Sequence, residues 1–312
     1  MPNPAEAAAP ATPAASPWRR RGGLVAGLLV LGFLTWAMID GWSSVAEYDW
    51  NVQIGTLALG CAVLLVFYVA SGLGYVAIID RLHHGGPGTR VTLSIWARSL
   101  LGRYVPGNVL MVLGRVVLSH DRGIPRRATL AATVYEQLLA LGVAAAGAVV
   151  FVAAYGGGGG WRLWLLALVP LGLLALHPRI FGPASTAALR LAKREPLPRL
   201  IPPAPLAGLV AWYALTAGLL GVGIWLLVRS AAGADAGSPA FVGLAFLLSF
   251  AVSTLAFIFP SGLGVREGAF ALALSQSLPG SVAVALSVGV RVMLTSVELV
   301  FIGAAVLAGR RR

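Results

Sequence analysis

The stretch Leu101-Gly-Arg-Tyr-Val-Pro-Gly-Asn-Val-Leu-Met-Val-Leu-Gly-Arg115 decides how the rest of the chain is read. It places two arginines, one proline and three glycines in a run otherwise apolar enough to sit in a bilayer. An arginine at the centre of a membrane helix costs about 2.5–3.5 kcal/mol on insertion scales. Proline removes a backbone donor and clashes with the preceding turn. Such a segment is stable at membrane depth only when it is buried in protein or lines a wet cavity. Broken, charged helices of this kind mark sites that handle polar cargo.

The surrounding composition agrees. Of 312 residues, 58% are hydrophobic and 11% charged, with a mean hydropathy of +0.85. A soluble domain carries about a quarter charged residues, so this is an all-α, polytopic integral membrane protein. The net charge of +12 does not point to nucleic acid, because the arginines cluster at the ends of apolar runs and no basic helix is interleaved with aromatics. Cys61 stands alone in an apolar run and reads as a small buried hydrophobe.

Residues 1–21 form a basic, Ala/Pro-rich tail expected to be disordered, and residues 309–312 a second basic tail. Between them, 22–308 reads as one transmembrane domain. Apolar runs at 22–39, 54–79, 128–154, 161–176, 206–228, 241–259 and 281–308 are read as full spans. Two segments are interrupted, 91–120 and 260–278. Arg19 to Arg21 place the amino terminus in the cytoplasm, and Arg310 to Arg312 the carboxyl terminus. Asp40, Glu47 and Asp49 put the first connection outside. Both flanks of 91–120 carry arginines, Arg81 and Arg90 before it and Arg122, Arg126 and Arg127 after it. The segment therefore enters from the cytoplasm, turns near Pro106-Gly107 and leaves the same way, as a re-entrant hairpin. Seven spans give the wrong parity for a cytoplasmic carboxyl terminus. A short crossing over 264–278, about 22 Å at 1.5 Å per residue, restores it, giving about eight crossings plus one hairpin. The basic connection 177–205 suits the anionic inner leaflet of the inner or plasma membrane.

Within the apolar framework Arg98, Arg103, Arg115, Arg266 and Arg291 face only Glu136, Glu267 and Glu298. That surplus suits an anionic ligand such as a lipid phosphate, whose oxygens a guanidinium fork can hold in two parallel bonds. A half-helix starting after Pro106 or Pro260 adds its positive end. Arg98 and Arg115 could instead snorkel to the surface. Arg291 and Glu298, seven residues apart on one helical face, could neutralise one another. The two breaks also echo each other: Pro106 precedes Glu136 by about as many residues as Pro260 precedes Arg291. That spacing resembles a weak internal duplication of the kind transporters show, though low-complexity apolar sequence also produces such echoes by chance.

Catalytic signatures are missing. The sequence has no His-Glu-x-x-His, Cys-x-x-Cys, Walker loop or Gly-x-Ser-x-Gly elbow, and His83, His84, His120 and His177 have no ligand-spaced partners. No metal, cofactor or enzymatic activity is therefore expected. Gly262-x-Gly264-x-x-x-Gly268 has the wrong spacing for a dinucleotide loop and reads as a turn with close helix packing.

Taken together, Arg103-Tyr-Val-Pro-Gly107, Gly114-Arg115, the Gly123 turn, Glu136 and Phe259-Pro-Ser-Gly-Leu-Gly-Val-Arg-Glu-Gly268 resemble the flippase-like domain family, which includes the transmembrane region of lysylphosphatidylglycerol synthases. The similarity covers residues 22 to 308. It implies an all-helical membrane domain with re-entrant elements, associated with moving lipids between leaflets. The synthases add a soluble aminoacyl-transferase domain, to which nothing in this sequence corresponds.

The resulting expectation is a translocator for an anionic phospholipid or polyprenyl-phosphate-linked lipid. Arg103, Arg115, Arg266 and Arg291 would hold the headgroup, and Glu136, Glu267 and Glu298 would balance charge or couple a proton. Tyr104, Pro106 and Gly107 would shape the first hairpin, and Pro260, Gly262 and Gly264 the second break. Two rivals stand beside it. One is a headgroup-modifying membrane enzyme using Glu136 or Glu267 as base. The other is a scaffold recruiting a glycosyltransferase or lipid synthase through 177–205.

Overall fold

Long runs of Ala, Leu, Val and Gly without internal proline become long helices, since in a bilayer each backbone amide must be satisfied within its own segment. The computed structural model describes residues 42–50, 52–104, 109–157, 201–255 and 264–310, with 164, 167, 179 and 183 between them. Every regular element among them is helical. After a short α1 (Trp42–Glu47) come α2 (Ile54–Leu82), α3 (Thr89–Leu100) with a 3-10 turn at Leu101–Tyr104, α4 (Val109–His120) and α5 (Arg126–Tyr155). Then follow α6 (Pro203–Ala232), α7 (Pro239–Leu255), α8 (Val265–Leu274) and α9 (Gly280–Arg310).

Among the described residues, four helices are long and apolar enough to cross a bilayer: α2, α5, α6 extended to Ala236, and α9. Large apolar side chains point outward from them, with Val66 55%, Leu215 56% and Val300 61% exposed. A surface of that kind belongs against lipid. The chain is a multi-pass membrane protein.

The most extensive pairing joins α2 and α6, which run antiparallel. The Gln53 N–H donates to Ser230 O at 2.8 Å near one end, and Trp212 Nε1 donates to Ala70 O at 2.9 Å towards the other. Leu64, Tyr75, Ile78, Ile79, Ile224 and Val228 are fully buried, most of them in this seam. Small residues let the backbones close up: a Cβ added at Gly223 would lie 2.7 Å from Leu64 Cδ2.

In the first interrupted segment the two short helices fold back on one another. α3 and α4 are antiparallel, with Ser99 against Arg115. At Gly102 an added Cβ would sit 2.4 Å from Met111 N, so this glycine is what lets the limbs meet. Gly123, at φ +83, ends α4, and the N–H groups of Gly123 and Ile124 donate to His120 O and Ser119 O, each at 3.0 Å. Pro106 and Gly107 lie outside the described residues. Tyr104 is described as the last residue of the 3-10 turn.

The second interrupted segment, read as a short crossing over 264–278, holds a helix over part of that range. α8 has ten residues, about 15 Å of helix, half of a 30 Å hydrocarbon core. It turns back along α7: Phe246 meets Phe270 edge-on at 5.3 Å, and the Arg266 guanidinium lies over both Phe246 and Phe250. α7 and α8 therefore form a second antiparallel hairpin. The spans read at 22–39 and 161–176, Pro260, Gly262 and most of the basic connection lie outside the described residues.

Candidate functional site

The embedded charges separate into two groups. Arg115 is 0% exposed, so it does not snorkel. Its guanidinium pairs with Glu136 Oε2 on α5. Its Nε donates to Ser99 Oγ at 3.0 Å, Nη1 reaches Thr133 Oγ1 at 3.4 Å, and the plane lies 4.6 Å from the Tyr75 ring centroid. The second carboxylate oxygen of Glu136 accepts from Trp96 Nε1 at 2.6 Å. A buried ion pair is tolerable when the remaining lone pairs and protons are also satisfied, and here they are met from three helices. This centre is neutral and closed.

The second group gathers where the two hairpins approach. Arg103, at the end of the first limb, pairs with Glu298 on α9, whose Oε2 also accepts from Tyr68 O–H at 3.1 Å. On α8, Glu267 Oε2 accepts from the Gly264 N–H at 2.7 Å. That bond caps the helix start from the third position, while Gly264 takes φ +84, a conformation natural to glycine. Glu267 Oε1 faces Arg291 Nε at 3.6 Å, beyond hydrogen-bond length. No donor among the described residues reaches this buried oxygen. Ser287 Oγ donates to Glu267 O at 2.8 Å and fastens α8 to α9.

Arg266 makes no ion pair among the described residues and rests its guanidinium 4.4 Å from the Phe246 ring centroid. It lies within electrostatic reach of Arg291, Glu267, Tyr68 and Arg103. Phe246, Arg266, Glu267, Ser287 and Arg291 line a small cleft. Three guanidinium groups thus share a region with two carboxylates, Glu267 and Glu298. Chemically, such a cleft attracts an anion and offers a buried acceptor to a donor carried beside it. Among the described residues no three His, Cys, Asp or Glu side chains stand together as a metal-ligand set.

The match with the sequence expectation is uneven. Arg103, Arg266 and Arg291 come together, as do Glu267 and Glu298, while Arg115 and Glu136 form a separate centre. Arg291 and Glu298 do not neutralise one another as their shared helical face suggested: Arg291 turns to Glu267 and Glu298 to Arg103. Trp96, Ser99, Tyr68 and Ser287 were missed, being unremarkable residues in apolar helices. One signal was present: Thr129, Thr133 and Glu136 recur at helical spacing, a polar stripe on α5.

Residues 23–302 match the family described as the lysylphosphatidylglycerol synthase TM region. The chain belongs to that family. The match takes in both hairpins and all the helices that carry the charged groups, so the family's segment and the site coincide. No curated protein matches the chain.

Proposed function

We propose that this member of the lysylphosphatidylglycerol synthase TM region family moves an anionic lipid, a phospholipid or a polyprenyl-phosphate-linked one, between leaflets. The observation that carries the reading is the surplus of positive charge where the hairpins approach: Arg103, Arg266 and Arg291 against Glu267 and Glu298, framed by helices that face lipid outward. A phosphate seated there is held by guanidinium forks while acyl chains stay in the bilayer. Glu267 Oε1 serves a hydroxyl or ammonium on the same headgroup. Glu298 and Glu267 hold the arginines in place when the site is empty. The family supports a role at membrane lipids. No bond is made or broken in this reading, and Arg115 and Glu136 do not touch the headgroup in the state described. The loop charges favour the inner or plasma membrane with both termini cytoplasmic.

Leaflet-resolved movement of labelled lipids in reconstituted vesicles tests this. Wild type is expected to exceed protein-free vesicles, with Arg291→Ala and Arg266→Ala about tenfold slower or more, the equivalent of about 1.4 kcal/mol in barrier. Equal rates in all three proteins would remove the cleft from the transport path.

A further inference from the structure

We infer that residues 54–155 and 203–310 are two copies of one unit inserted in opposite directions, and that the Arg115–Glu136 centre is the closed counterpart of the Glu267–Arg291 cleft, opening to the other side of the membrane as that cleft closes. The element order supports this first. Each half runs long helix, short limb, break, short limb, long helix: α2, α3, α4, α5 and then α6, α7, α8, α9. The leading helices α2 and α6 are antiparallel, as the bonds near their ends show, so the second half is upside down relative to the first.

Packing repeats with the same register. The first limb of each hairpin lies on the closing helix of the other half. Trp96, the eighth residue of α3, meets the edge of Phe301, the twenty-second of α9, at 5.9 Å. In the other half, Leu247, the ninth residue of α7, covers Gly147, the twenty-second of α5, where an added Cβ would lie 2.6 Å from its Cδ1. The charged centres repeat too, with signs exchanged. In each half the second limb supplies one ion and the closing helix the other: Arg115 on α4 with Glu136, the eleventh residue of α5, and Glu267 on α8 with Arg291, the twelfth of α9. A hydroxyl stands at the eighth position of both closing helices, Thr133 on α5 and Ser287 on α9. Each reaches the ion-bearing residue of its own hairpin.

The two centres are not in the same condition. Side-chain exposure is 1% and 9% for Arg115 and Glu136, against 27% and 9% for Arg291 and Glu267. Halves related by an inverted two-fold have a second state in which those conditions are exchanged, and rocking one half against the other reaches it. A shared aromatic layer couples them. Phe301 stacks on Tyr68 at 5.6 Å and meets Trp96, while Tyr68 bonds Glu298 and Trp96 bonds Glu136. Movement of that layer disturbs Glu136 directly and, through Glu298 and Arg103, the surroundings of Arg266 beside the cleft.

Sided labelling tests this without reference to the cargo, so its outcome is separate from that of the transport assay. Thr133→Cys and Ser287→Cys, each near-isosteric, are made in a Cys61→Ala background, with Ser99→Cys and Val290→Cys as a second pair should either fail to insert. A membrane-impermeant maleimide is applied to one face of sealed vesicles and then to the other. The two positions are expected to label from opposite faces. Prior modification of Ser287→Cys is expected to slow labelling of Thr133→Cys in the double variant at least tenfold. Labelling of both from one face, no labelling at Thr133→Cys from either, or independent rates would overturn the inference.

Discussion

The Arg115–Glu136 centre and the Arg266–Arg291 cleft use the same side-chain types, yet they differ in what surrounds them. Around Arg115 the protein supplies a partner for each face of the guanidinium: a carboxylate, two hydroxyls and a tyrosine ring. Around Arg291 the carboxylate stands off at 3.6 Å, and the neighbouring Arg266 rests on phenylalanine rings with no ion pair among the described residues. The first arrangement leaves no ionic charge unpaired, and only the buried Tyr75 and Tyr213 hydroxyls near it lack a partner among the described residues. The second has charge left over. Burial of an arginine is therefore a weak guide to its role, and the state of its partners a stronger one.

That contrast is open to attack by mutation. The largest effect belongs to the closed centre. Arg115→Ala or Glu136→Ala leaves an unpaired buried charge and is expected to destabilise the protein by about 3–5 kcal/mol, seen as a sharp fall in thermal stability in detergent. The double variant Arg115→Met, Glu136→Leu should recover most of that loss; failure to recover would mean the pair is not the stabilising unit. Next comes Gly102→Leu, which forces a side chain into the Met111 backbone and should cost about 1–3 kcal/mol, measured the same way. Trp96→Phe removes one donor from a buried carboxylate and should cost about 1.5–3 kcal/mol at most. Arg291→Ala is expected to destabilise the protein less than Arg115→Ala, because Arg291 is 27% exposed and stands 3.6 Å from its carboxylate, while slowing lipid movement. A stability loss as large as that of Arg115→Ala would erase the distinction between the two centres. Leu272→Ala, on a 74% exposed side chain facing outward, serves as the smallest effect, within about 0.5 kcal/mol.

Much of the architecture was legible because the bilayer makes it so. Helices such as α2 and α9 follow from uninterrupted apolar runs, and the division of 91–120 into two short helices from the proline and glycines that interrupt it. The end of α8 at Leu274 was not, because the segment read from hydropathy runs on to residue 278 while the helix is capped at Ser275. The packing of Phe270 on Phe246 and of Arg266 over Phe250 lays α8 back along α7. The embedded ions could be named from composition, but not paired. Arg291 and Glu298 share a helical face, yet each meets an ion delivered by a hairpin far away in sequence. Partner choice of that sort is decided by tertiary placement, on which spacing within one helix is silent.

The contact between Gly221 and Gly243 has a mechanical meaning. A Cβ added at either would lie about 3 Å from the other's Cα, so the α6 and α7 main chains touch with no side chain between them. Two rods joined backbone to backbone have no cushion to shear. They travel as a single strut, and the compliance of the molecule has to reside elsewhere.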